Sequence, residues 1–246
     1  MTKKQHHPKT ELRSALPQPS TNLDEQWHPY LETIAKRFDQ EYQQAAFDLP
    51  PEVEAMPVFQ DWNAGRLQAR IASPFWELYQ PKKRQHWLDI GCGLSFLVYS
   101  WRDWDAYFYG QELSSVVQSA VNQRGPQLNS KLFRGIEQGP AHHLKYGNQQ
   151  FDGVVATGFS CYFSLEYGQA VLTEIKRVLK PEGILLLDLL DPDSELAENW
   201  AILETYLGAE VLLEPLQAWH SLIQALGGKV VKTKAGELFH LLKVKF

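Results

Sequence analysis

Apolar and polar positions follow three textures along this chain. Over residues 27–47, Tyr30, Leu31, Ile34 and Phe38 recur at the spacing of one helical face, and Pro50-Pro51 ends the pattern. A second helix is expected over 59–79, with an interruption before Pro74 and a stop at Pro81. Both stretches are dense in aromatic residues, so they must cover something, and they are placed against the main body of the chain. From His86 the texture changes to short apolar runs that alternate with helical stretches. Strands are expected at 86–90, 106–111, 131–134, 153–157 and 184–190, and helices at 94–102, 114–123 and 167–179. Such alternation builds a parallel sheet with right-handed crossovers. The nearly unbroken apolar run 184–190 fits a strand covered on both faces. In the last texture, 194–207 and 215–226 read as helices and Gly227-Gly228 as a stop. Then 229–233 and 238–244 form an antiparallel strand pair around Ala235-Gly236.

Composition narrows the choice. The 246 residues suit one large α/β domain, and 44% hydrophobic with 22% charged residues is ordinary for a globular chain. A net charge of −5 argues against a nucleic-acid partner, which needs a concentrated basic surface. Lys3-Lys4 and Lys82-Lys83-Arg84 are too short to change that. The two cysteines, Cys92 and Cys161, define no disulfide framework and no zinc spacing; they read as small buried side chains in a cytoplasmic, reducing setting. No apolar run reaches the roughly 18 residues of a membrane span. Residues 1–22, with His6-His7, read as a disordered tail, not a targeting peptide.

The chemistry centres on Trp87-Leu88-Asp89-Ile90-Gly91-Cys92-Gly93, where a strand runs into a glycine turn and then a helix. Gly91 and Gly93 let the backbone turn sharply and let a ligand approach without a Cβ in the way. A dinucleotide fingerprint would need a third glycine where Phe96 stands, so that ligand is disfavoured. S-adenosylmethionine has no phosphate and makes no demand on an anion-binding helix start. Nineteen residues past Gly93, Tyr109-Gly110-Gln111-Glu112-Leu113-Ser114 ends a strand with an acid. A carboxylate there can accept from ribose hydroxyls, or it can simply cap the next helix.

These segments resemble the class I S-adenosylmethionine-dependent methyltransferases. Leu88-Asp89-Ile90-Gly91-Cys92-Gly93 is similar to the first motif, and 109–114 to the acidic second-strand motif. Phe151-Asp152-Gly153-Val154-Val155 resembles the fourth-strand entry, and Arg177-Val178-Leu179-Lys180-Pro181-Glu182-Gly183 the turn before strand five. The resemblance implies an α/β fold: a Rossmann-like, seven-stranded, mostly parallel sheet with helices on both faces, its last strand antiparallel, plus an N-terminal helical cap over 23–81. The methyltransferase domain would span 82–246, with a lid insertion near 194–214. It implies that Gly91, Cys92 and Gly93 line the methionine and ribose side, that Asp89 helps hold the methionyl amino group, that Glu112 binds the ribose and that Leu113 packs on adenine. Ala141 and His142 would meet the ring through the loop after strand three, which has no acid at 140–144, and Thr157 would close the cofactor site.

Candidates for the remaining chemistry are thinner. Tyr162, His142 and His143 are candidate catalytic groups, and Tyr30, Phe159 and Tyr162 candidate substrate contacts. The rings read equally as core material and the histidines as exposed loop residues. Asp188, Asp191 and Asp193 sit at the end of strand five, Asp191-Pro192-Asp193-Ser194 reads as a turn and helix cap, and no metal is expected. The aromatic N-terminal stretch suggests an apolar or aromatic small-molecule acceptor. A protein side-chain methyltransferase and a non-catalytic cofactor-binding module are the alternatives.

Overall fold

The computed structural model describes residues 22–97, 101–129 and 131–246. The expected tail over residues 1–22 lies outside them except for Asn22, which opens the first helix.

A long helix, α1 (Asn22–Tyr42), comes first. Three short helices follow: α2 (Pro51–Glu54), α3 (Pro57–Asn63) and α4 (Leu67–Ile71). A 3-10 turn occupies Phe75–Glu77. The single helix expected over 59–79 is therefore broken into pieces. Pro57 starts one piece at its first position, and Gly65 at φ +69° stops it in the left-handed region that helices cannot continue through.

Seven strands then make one sheet: β1 (His86–Ile90), β2 (Tyr107–Glu112), β3 (Phe133–Gln138), β4 (Phe151–Ala156), β5 (Leu179–Leu190), β6 (Lys229–Ala235) and β7 (Phe239–Lys245). Their order is β3-β2-β1-β4-β5-β7-β6. The first five run parallel, and β7 pairs antiparallel with both β5 and β6. The helices between them are α5 (Trp101–Trp104), α6 (Ser115–Asn129), α7 (Leu165–Val178), α8 (Ala197–Leu207) and α9 (Leu216–Ala225). Within the expected helix 94–102 the described residues form a turn at Leu94, a 3-10 turn at Ser95–Leu97 and the first two residues of α5. Strand β3 sits later than expected because its ladder with β2 slips by one residue around Gly135, which stands at φ +96° as a bulge residue.

Alternation along the strands divides the interior into two cores. Leu88, Ile90, Val154, Ala156, Leu185 and Leu187 pack on one face with the buried residues of α7. Trp87, Phe108, Val155, Ile184 and Leu186 pack on the other with Val117 and Val121 of α6. Helix α7 shows how local sequence serves this. Ser164 caps its start by accepting from the Tyr167 amide at 3.3 Å, and Tyr167, Val171, Leu172, Ile175 and Val178 form one buried stripe. Phe96 is fully buried and meets the rings of Phe108 and Phe133 edge-on. It stands where a dinucleotide fingerprint needs a glycine for close helix–strand packing. At the far edge β6 is almost wholly exposed and carries Lys229, Lys232 and Lys234.

Gly153 tests the tightness of this packing, because a Cβ there would stand 2.4 Å from the Trp87 ring. Gly153→Ala is expected to destabilise the chain by about 1–3 kcal/mol, read as a lower urea midpoint at unchanged slope.

Candidate active site

The carboxyl ends of the parallel strands meet one cavity of about 1000 Å³. Its floor is the turn after β1. Gly91 and Gly93 stand at φ +63° and +49°, so both need the freedom only glycine has at no cost. Gly91 and Cys92 face the cavity beside Phe159, and a Cβ on Gly93 would come within 2.8 Å of the Tyr42 hydroxyl. Burial pushes the Cys92 thiol well above its ordinary range, so it is a neutral wall.

Glu112 ends β2 and is 7% exposed. One oxygen accepts from the Gly93 amide at 2.8 Å; the other accepts from the amides of Leu113 at 2.8 Å and Ser114 at 3.0 Å. Burial raises its pKa, and the three N–H donors oppose that rise. Leu113 lines the cavity next to it, and Ala141 does so from the loop after β3. Gln111 holds that loop. Its side-chain amide donates to the carbonyls of Pro140 at 2.6 Å and His143 at 3.0 Å, and its oxygen accepts from the Lys145 amide at 3.1 Å.

The turn after β4 supplies Thr157, Gly158 and Phe159. The Gly158 amide donates at 2.9 Å to Asp188 of β5, and the Ser73 side chain is its second donor. Asp188 is 1% exposed, and burial pushes its pKa up to about 6 against these two donors and its own backbone amide.

Above this edge stands a buried polar cluster. Arg37 of α1 donates to both oxygens of Glu204 on α8, Nε at 2.8 Å and Nη2 at 2.9 Å, and also pairs with Glu41. The Tyr162 hydroxyl donates to Glu204 at 2.9 Å. Burial, then the Glu204 charge, keeps that hydroxyl protonated far above neutral pH, so Tyr162 acts as a donor and not a base. Around the cluster lie Phe38, edge-on to Tyr162 at 5.8 Å, and Trp200, edge-on to Phe239 at 5.5 Å.

Four of the expected residues lie outside the cavity lining. Asp89 is buried at the end of β1, 2% exposed. His142 packs its ring among Trp27 and Tyr167, with Nδ1 3.0 Å from the Tyr167 hydroxyl. His143 is exposed on the loop. Tyr30 donates its hydroxyl to the Tyr162 carbonyl and so braces the site from behind. Conversely, Arg37, Glu204, Asp188, Tyr42 and Gln111 were not foreseen. Arg37 and Glu204 did leave a signal: each is a charge on the apolar stripe of its helix, beside Ile34 and Phe38 or Trp200 and Leu207.

The comparisons agree with this architecture. Residues 88–187 match the family model described as a methyltransferase domain. No curated protein matches the chain by sequence. Among solved structures, a geranyl diphosphate C-methyltransferase from Streptomyces coelicolor has 14% identity and TM-score 0.64, over 88% of this chain and 98% of that one. A Pyrococcus horikoshii protein has 19% identity and TM-score 0.59, over 80% and 99%. An O-methyltransferase from neocarzinostatin biosynthesis has 16% identity and TM-score 0.59, over 79% and 60%. At such identities the neighbours speak for the fold. Residues 88–187 therefore form a methyltransferase domain, set in a seven-stranded sheet whose fold is shared with S-adenosylmethionine-dependent methyltransferases. The chain is accordingly a methyl-transferring enzyme whose cofactor is S-adenosylmethionine. Among the described residues no helix is long and apolar enough to cross a membrane.

Two outcomes follow from the buried charges. Glu204→Ala leaves Arg37 buried with only the partly exposed Glu41 to balance it, and is expected to cost about 3–5 kcal/mol in urea unfolding. The raised pKa of Asp188 means its folded site prefers the proton. Its contribution to stability is complete below the ordinary carboxylate pKa and is lost as pH rises through about 6. Asp188→Asn should therefore gain on wild type between pH 4 and pH 7, by on the order of 2 kcal/mol in the ligand-free protein. A difference that does not change with pH would contradict the assignment.

Proposed function

We propose that the chain methylates a small molecule with an apolar or aromatic body, held in the cavity above the strand ends. The supporting observation is the continuity of that cavity from the glycine turn and Glu112 to the rings of Phe38, Trp62 and Trp200. About 1000 Å³ is at the upper end of small-molecule sites, with room for a cofactor and an acceptor side by side. Two neighbours were crystallised with acceptors whose bodies are of this kind, geranyl diphosphate in one and 1,4-dihydroxy-2-naphthoic acid in the other.

The residues present fit the cofactor. An ionised carboxylate offers about four lone-pair sites. Three backbone amides take three of those on Glu112, which leaves one on the oxygen bonded to Gly93 for a ribose hydroxyl. Leu113 and Ala141 supply apolar surface for the base, and Gly91, Cys92 and Gly93 line the methionyl side. Thr157 and Phe159 stand where the methyl-bearing end would project. Asp89 would act from beneath the turn, and His142 through the backbone of its loop.

Bound there, S-adenosylmethionine supplies a methyl group already activated on a sulfonium, so transfer is an in-line displacement. The protein's work is orientation and exclusion of water. Phe159 and Tyr162 form one side of the acceptor space, and the Tyr162 hydroxyl is fixed by Glu204. Helix α1, residues 67–76 and α8 cover the edge, which is the role assigned to the N-terminal helices and to the stretch near 194–214.

Titration with S-adenosylhomocysteine tests the cofactor half. Glu112→Ala and Gly91→Val, each checked for native circular dichroism, are expected to weaken binding by at least about tenfold, or 1.4 kcal/mol. Unchanged affinity in both would remove the assignment. The acceptor half is tested with methyl-labelled cofactor and a cell extract, where label should enter the small-molecule fraction. Label confined to protein would favour side-chain methylation instead.

A further inference from the structure

We propose that the acceptor is an organic ammonium compound, an apolar body carrying a protonated nitrogen that Asp188 and the surrounding rings hold. The inference rests on the small-molecule reading above and concerns the charge of the acceptor's head group.

Position comes first. Along the carboxyl edge the sheet presents Glu112 on β2, the glycine turn on β1, Gly158 after β4 and Asp188 on β5. Three strand spacings separate Glu112 from Asp188, roughly 14 Å at 4.8 Å each. With the ribose at Glu112 and the methionyl part over β1, Asp188 falls on the far side of the methyl-bearing end. That is the acceptor's half of the cavity. It is also where Tyr162, Trp200 and Phe239 line the wall.

Charge comes second. Among the described residues Arg37 is the single cationic side chain lining the cavity, against the carboxylates of Glu41, Glu112, Glu204 and Asp188. Arg37 is committed, with both oxygens of Glu204 and one of Glu41 on its guanidinium. An anionic head group would meet the uncompensated carboxylates of Asp188 and Glu112 and no free cationic side chain among the described lining residues, which disfavours it. A cation meets the reverse. Asp188 receives only neutral donors, the backbone amides of Gly158 and of Asp188 itself and the Ser73 side chain, so its negative charge is hydrogen-bonded yet unbalanced. With its pKa near 6 it is ionised at pH 8, and about one of its four acceptor positions remains. Ring faces complete the chemistry, because a desolvated ammonium is drawn to aromatic faces as well as to a carboxylate. A carboxylate without a cation, in a half-open cavity that is also lined by rings, is the reciprocal of an alkylammonium ion.

The test uses the full chain saturated with S-adenosylhomocysteine and three probes of one shape at pH 8: 2-naphthylmethylamine, 2-naphthalenemethanol and 2-naphthoate. Calorimetry should give the ammonium probe at least about tenfold tighter binding than the alcohol, and the carboxylate at least about tenfold weaker binding than the alcohol. Asp188→Asn should bring the ammonium to within about twofold of the alcohol, with S-adenosylhomocysteine affinity unchanged. An ammonium no tighter than the alcohol, or a carboxylate as tight as either, overturns the inference and leaves the small-molecule reading standing. A preference that survives Asp188→Asn overturns the role of Asp188. If none of the three binds while S-adenosylhomocysteine does, the aromatic small-molecule reading itself falls. The wild-type ranking decides the charge question even if the variant does not fold.

Discussion

Because β2, β1, β4 and β5 run parallel, all their carboxyl ends reach one edge of the sheet, and the loops that follow must share the same space. The order of the strands changes direction between β1 and β4, so the loops after these two lead to opposite sides and a crevice opens between them. Everything chemical in the molecule hangs on that geometry. Glu112, the glycine turn, Gly158 and Asp188 are far apart in the chain, yet neighbouring strands place them in one row. The buried ladders beneath, with Leu88, Val154 and Leu185 on one face and Trp87, Val155 and Leu186 on the other, hold the row in register.

A row of strand ends alone would be open to water. The pair Arg37–Glu204 joins α1 to α8 across the top, and Tyr162 ties the same carboxylate to the turn after β4. Burying such a pair gains little net stability, since desolvation cancels most of the attraction. What it does is penalise every arrangement in which the two helices do not meet. Apolar contacts between α1 and α8 would tolerate sliding; a forked guanidinium on a carboxylate does not.

Much of this was legible in the sequence, and what was not has physical causes. β1, the two glycines and the acid at the end of β2 were visible because a strand, a left-handed turn and a strand terminus each restrict which residues can stand there. The parallel alternation and the closing antiparallel pair were visible through periodicity. The stretch 59–79 misled because its apolar residues keep helical spacing through Gly65, where the backbone leaves the helix. β3 misled because Gly135 looks like an end and is a bulge. Asp188 was read only as an acid near the end of strand five, since nothing local says that an acid in an apolar run will face a cavity. The pairing of Arg37 with Glu204 spans 167 residues, and only the fold brings the two together. Each was nonetheless marked as a charge on an apolar helical stripe.

The exposed strand β6 has a consequence of another kind. It is the outermost strand of the sheet, so its outward amide and carbonyl groups could template another strand. Lys229, Lys232 and Lys234 along it put positive charge where an incoming strand would have to lie. Two copies approaching edge to edge would bring these lysines together, and their repulsion discourages continuous growth of the sheet. The lysines thus guard the protein against its own aggregation, at the edge farthest from Glu112 and its chemistry.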